Sequence, residues 1–158
     1  CLSKTIFSAS SLIKILNDEI CETTTRGMFV TMIVGVYDKN KNELLLSNAG
    51  HEPPLIFSKE GNFKTIDEAG PPLGIAPNFK FTEQTISFKE SSMYIFTDGI
   101  TEMKNNNGEM LGQEGFQDYI KKYQSTPNNK RLQKMIEDLI GSGRIQKDDL
   151  TIVTVDGK

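Results

Sequence analysis

Tryptophan is absent from this 158-residue chain, histidine occurs once, and there are two cysteines. One imidazole and two thiols, Cys1 and Cys21, are too few to build a Cys/His zinc site of ordinary spacing. The same scarcity makes any Ser-His-Asp or Cys-His mechanism depend on His51. No G-x-S-x-G elbow accompanies it, and neither cysteine has a motif setting, so nucleophilic catalysis is disfavoured. No apolar run approaches the roughly 20 residues that a spanning helix needs. Positive charge is also short. Eighteen Lys and Arg stand against 21 Asp and Glu, a net charge of -3, which disfavours nucleic acid or any other partner held through a phosphate backbone. Gly108, Gly112 and Gly115 fit neither a dinucleotide fingerprint nor a Walker loop.

What is present is an ordinary globular composition, 37% hydrophobic and 25% charged, at a length that fills one domain of about 150 residues. Free thiols at Cys1 and Cys21 fit a reducing cytosol, although two cysteines can also close one disulfide, and the expected location is cytoplasmic. The chain opens on Cys1 rather than Met, so residues upstream are expected. A lipoprotein start is disfavoured because Leu2, Ile6 and Phe7 follow at once where a polar tether would stand. No signal or transit segment is visible.

Leu12, Ile13, Leu16 and Ile20 recur at helical spacing and predict a helix over 11–22, capped by Ser10 or Ser11. Residues 28–37 and 43–47, rich in β-branched and apolar side chains around an Asp-Lys-Asn-Lys-Asn turn, predict a hairpin. A second hairpin is expected from 55–57 and 63–66, followed by the rigid loop Gly70-Pro71-Pro72-Leu73-Gly74. Phe79, Phe81, Ile86 and Phe88 predict a bulged strand over 79–88, and 93–97 a buried one. Two helices follow. The first, near 113–123, carries Phe116, Tyr119, Ile120 and Tyr123. The second carries Leu132, Met135, Ile136, Leu139 and Ile140, with Thr126 as cap, Pro127 in its first position and Gly141 just past its end. Lys121, Lys122, Lys130, Arg131 and Lys134 are expected on solvated helical faces. A last strand is predicted over 150–155. The order predicts one α+β unit, helices covering antiparallel sheets, with no doubly wound core.

Asp98 follows the buried strand over 93–97 and precedes Gly99; Asp148 and Asp149 immediately precede the last strand. If those strands are antiparallel neighbours, the carboxylates come within roughly 4.5–5.5 Å where directly opposite. Such a pair repels unless one pKa rises or a cation lies between them. Oxygen donors without His select a hard ion such as Mg²⁺ or Mn²⁺. Acidic residues are also ordinary turn formers, and spacing alone leaves both readings open. Asn48-Ala49-Gly50-His51-Glu52-Pro53-Pro54 is the other unusual segment. Its small residues permit close backbone approach, its prolines stiffen the exit, and His51 reads as a turn residue satisfying backbone groups rather than as a catalytic one.

Taken in order, Phe29-Val30-Thr31, Asn48-Ala49-Gly50-His51 with Pro53, Pro72-Leu73-Gly74, Thr97-Asp98-Gly99-Ile100-Thr101-Glu102 and Lys147-Asp148-Asp149-Leu150-Thr151 resemble signatures of the metal-dependent protein phosphatases. This is the protein phosphatase 2C superfamily, in its bacterial SpoIIE-type branch. The resemblance implies an antiparallel β-sandwich flanked by helices and a two-metal Mn²⁺ or Mg²⁺ site in which Asp98 and Asp148 are ligands, with Gly99, Asp149, Asn48, Gly50 and His51 nearby. It also implies a phosphoserine or phosphothreonine substrate on a regulatory protein, an anti-sigma-factor antagonist, and a sensor domain upstream in the parent protein. The family's Gly-Asp motif and its Asp motif ending in Gly-His-Gly do not occur before Phe29. Residues 1–158 therefore read as a domain lacking its first metal-binding motifs, inactive by itself and prone to self-association. A catalytically degenerate interaction module of the same fold is the alternative.

Overall fold

The computed structural model describes residues 8–23, 27–67, 69–87 and 89–157. The chain divides into two compact units. One comprises Cys1–Pro53, Thr65–Ser92 and Asp156–Lys158; the other comprises Pro54–Lys64 and Met93–Val155. Cys1 and the apolar start at Leu2, Ile6 and Phe7 lie outside the described residues.

In the first unit, helix α1 (Ala9–Thr23) begins two residues earlier than its periodicity predicts. Neither Ser10 nor Ser11 is its cap: Ser8 Oγ accepts the Ser11 N–H at 3.3 Å. The Glu83 carboxylate accepts the Ser8 hydroxyl at 2.8 Å and the Ser10 N–H at 3.1 Å. Strand β1 (Met32–Asp38) pairs antiparallel with β2 (Glu43–Ala49), Asp38 opposite Glu43 and Met32 opposite Ala49. The turn is set by Asp38, whose Oδ1 accepts the N–H of Asn40 and Lys41. The hairpin is as expected, but Met28 and Phe29 are not in the strand, and Val30 forms only an isolated bridge with Leu73.

The strand predicted over 79–88 is corrected to β5 (Gln84–Ser87), which adds to β2; Phe88 lies outside the described residues. The apolar alternation breaks between Phe81 and Ile86. There Glu83 turns toward α1, while Phe79 and Phe81 leave the ladder and pack edge to face at 4.9 Å. Ile13, Ala49, Leu73 and Phe81 form this unit's buried cluster, with Leu16, Ile20, Met32 and Val34 against it.

Most residues of a four-stranded sheet in the order β4 (Phe63–Thr65), β3 (Leu55–Ser58), β6 (Ser91–Phe96), β7 (Ile152–Asp156) belong to the second unit. Strands β6 and β7 are antiparallel: Thr97 N–H donates to Thr151 O at one end and Gly157 N–H to Ser91 O at the other. After β6 come a short helix α2 (Asp98–Thr101), then α3 (Gly112–Tyr123) and α4 (Asn128–Gly141). Leu55, Phe57, Tyr94, Phe96, Ile100, Phe116, Ile120, Met135 and Leu139 belong to one buried cluster.

Helix α4 departs from its predicted details. Pro127 flanks it as the cap residue, Thr126 makes no side-chain cap, and Gly141 is its last residue. Ile140 is 57% exposed, whereas Arg131, expected on a solvated face, is 5% exposed. Its guanidinium lies 5.6 Å from the centroid of Tyr94, an arrangement in which a delocalised cation is accommodated against an aromatic face.

Candidate metal centre

Tyr94 and Phe96 bury one face of β6 against the helices and Met93 is buried on the other, and Thr97, in extended conformation, leads directly into α2. Gly99 and Ile100 are buried in that turn, which leaves Asp98 beside them as the exposed residue. The turn closes on Asp98: its carbonyl accepts the Glu102 N–H at 2.8 Å and the Thr101 hydroxyl at 3.1 Å.

The antiparallel register brings the segment before β7 against this turn. A Cβ placed on Gly99 would fall 2.4 Å from the Asp149 carbonyl oxygen and 3.4 Å from the Asp148 carbonyl carbon. Only glycine permits that approach. Thr97 fastens the two segments. Its hydroxyl donates to Asp149 O at 3.0 Å and accepts the Thr151 N–H at 3.1 Å. Asp148 Oδ1 accepts the Asp149 N–H at 2.7 Å, and Gln146 Nε2 donates to Asp148 O at 2.9 Å. Asp98, Asp148 and Asp149 are all exposed.

This donor set is oxygen only, as Mg²⁺ or Mn²⁺ prefers. Among the described residues no group of three or more His, Cys, Asp or Glu side chains converges to hold a metal. The chemistry of the donors fits a hard divalent ion; their number is smaller than the six oxygens such an ion takes.

Asn48, Gly50 and His51 come together in the first unit. Asn48, 3% exposed, closes the turn with both ends of its amide: Nδ2 donates to His51 O at 3.0 Å, and Oδ1 accepts the His51 N–H at 2.9 Å. Asn48 thus supplies two of the bonds to the backbone of this turn, and His51 a third. Gly50 has φ +71°, and a Cβ there would sit 2.6 Å from the Pro72 ring. The half-buried His51 holds its Nδ1 3.0 Å from Glu52 O. Thr97 stands in the Thr97–Glu102 signature, but sequence reasoning assigned it no role; its signal was a β-branched hydroxyl residue between the end of β6 and Asp98.

The chain thus combines antiparallel sheets carrying helices with acidic residues at two adjacent strand ends. The family model described as Stage II sporulation protein E (SpoIIE) matches residues 2–158, and the chain belongs to that family. Protein IcfG of Synechocystis sp. is 31% identical over 156 residues, 96% of this chain and 24% of that protein. Phosphoserine phosphatase RsbU of Bacillus subtilis is 26% identical over 157 residues, 98% of this chain and 47% of that protein. The chain therefore spans less than half the length of either relative. Among solved structures, the SiaA-PP2C domain of Pseudomonas aeruginosa superposes with a TM-score of 0.81 at 13% identity, over 96% of this chain and 61% of that one. The phosphatase domain of SpoIIE from Bacillus subtilis, presoaked with Mn, gives 0.66 at 17%, over 97% of this chain and 67% of that one. These likenesses establish the fold.

Proposed function

We propose that this chain is part of a metal-dependent protein serine/threonine phosphatase domain, with Asp98 and Asp148 as ligands of a Mn²⁺ or Mg²⁺ ion. The register of β6 and β7, which sets Gly99 against Asp148 and Asp149, is the observation that carries this reading. When bound, a pair of such ions supplies a water of lowered pKa and neutralises charge on the phosphoryl oxygens. The chain's own part is to present two carboxylates at fixed strand ends. Thr97 holds the Asp149 backbone, and Gly99 gives it room.

The further carboxylates of a two-ion site come, in this reading, from the family's Gly-Asp and Asp-x-x-Gly-His-Gly motifs, which this sequence does not contain. Residues 1–158 alone are then a domain short of its first metal-binding motifs and inactive toward phosphoserine. The substrate is a phosphorylated bacterial regulatory protein, an anti-sigma-factor antagonist, in the cytoplasm. The name of the relative RsbU supports the phosphoserine class; the sequence resemblance supports the rest.

The test is hydrolysis of a phosphoserine peptide with Mn²⁺ by the full-length parent protein. Asp98→Ala and Asp148→Ala are each expected to reduce turnover to background, and Asp149→Ala to reduce it less. Near-normal turnover in either of the first two would overturn the assignment, and equal loss in all three would place the ligand register elsewhere.

A further inference from the structure

Asn17, in the middle of α1, is fully buried and spends both ends of its amide on a loop far along the chain. Nδ2 donates to Ala76 O at 2.9 Å, and Oδ1 accepts the Gly74 N–H at 3.1 Å. The next residue continues the clamp: Asp18 Oδ1 accepts the Asn78 N–H at 3.1 Å. A buried carboxamide costs stability unless its donor and acceptor are both engaged. Here both are engaged by one loop.

That loop is stiff and tightly seated. Pro71 and Pro72 fix their own φ, and Leu73 exchanges backbone hydrogen bonds with Val30 at 3.1 and 2.8 Å. Gly74 has φ +91°, and a Cβ there would fall 2.8 Å from Ile20 Cγ2 on α1. The other end of the loop meets the His51 turn: Gly70 N–H donates to Asn48 O at 2.8 Å, and Pro72 fills the space beside Gly50. One continuous set of contacts thus runs from α1 through residues 70–78 to residues 48–51, all within the first unit.

We infer that Asn17 is a positioning residue for the Asn48-Ala49-Gly50-His51 turn, acting through the Pro71-Pro72 loop. The inference concerns contacts within the first unit and does not rest on the proposed function. Displacing α1 removes the Gly74 and Ala76 anchors, frees Pro72 to move from Gly50, and changes the surroundings of His51.

His51 is the only histidine in the chain, so the ¹H–¹³C signals of its ring are an unambiguous reporter. Asn17→Ala in the 158-residue chain is expected to shift those signals. It should also speed hydrogen exchange at Gly70, Leu73 and Gly74 by about tenfold, roughly the effect of one lost hydrogen bond. Pro72→Ala, which leaves α1 intact, is expected to shift the ring signals in the same direction and carries the test if Asn17→Ala does not fold. Ile15→Ala, on the same helix and 66% exposed, should change neither. Faster exchange at Gly74 with unmoved His51 signals would overturn the inference, as would equal shifts from Ile15→Ala. No turnover is measured, so failure here is distinct from failure of the phosphatase reading.

Discussion

The hydroxyl of Thr97 donates to the carbonyl oxygen of Asp149 at 3.0 Å, tying the end of one strand to the acidic segment that starts its neighbour. The Thr97 hydroxyl oxygen in turn accepts the Thr151 N–H, so this one side chain adds two bonds to the backbone bond from Thr97 N–H to Thr151 O. Thr97→Val, which keeps shape and removes both bonds, is expected to cost about 1–2 kcal/mol in denaturant unfolding. Thr97→Ser should retain most of that stability. Equal stability of the Val and Ser variants would show that the hydroxyl contributes nothing.

Gly99 marks the closest approach between the two segments. In Gly99→Ala the new methyl meets Asp149 O at 2.4 Å, backbone that can yield only by moving the acidic segment. A loss of about 1–3 kcal/mol is expected, with displaced amide resonances at Asp148, Asp149 and Thr151. An unchanged melting curve with unchanged spectra would contradict the packing described.

Glu83 gives the first unit an acid-sensitive contact. Hydrogen bonding from the Ser10 backbone N–H, with the Ser8 hydroxyl, holds its carboxyl below the usual glutamate range. Because the folded pKa is depressed, this contribution is fully present above the unfolded pKa and is lost as pH falls through the folded one. The protection of the Ser10 and Ser11 amides, measured against their intrinsic exchange rate at each pH, should therefore fall on acidification below the ordinary glutamate range. Glu83→Gln should flatten that dependence, and an identical acid response in the variant would rule the contact out as its source.

His51 is expected to be structural, because water activated by two metal ions needs no side-chain base. His51→Gln in the full-length protein should keep its maximal rate within a hundredfold of the parent. A larger loss with fold and metal affinity intact would assign it proton transfer, which contributes about 10²–10⁴.

Much of this architecture is legible in residue spacing. The apolar period of Met135 and Leu139 locates α4, and the strands ending at Phe96 and beginning at Ile152 put Asp98 and Asp148 at neighbouring ends once they pair. What was not legible depends on polar groups whose partners are distant in sequence. Asn17 stands on the same helical face as Ile13 and is buried because the Gly74 and Ala76 backbone meets it. Arg131 reads as a surface charge until Tyr94 is seen beneath its guanidinium. Glu83 ends the alternation of Phe79 and Phe81 because α1 recruits its carboxylate. In each case a tertiary contact overrode a correct local pattern.

The claim that Asp98 and Asp148 are metal ligands is tested most directly by titrating Mn²⁺ into the 158-residue chain and following paramagnetic broadening of assigned amide resonances. The account predicts that Gly99, Asp149 and Thr151 broaden first. Asp98→Ala or Asp148→Ala should abolish that selectivity, while Asp149→Ala should largely preserve it. Broadening centred elsewhere, or the same pattern persisting in Asp98→Ala and Asp148→Ala, would contradict it.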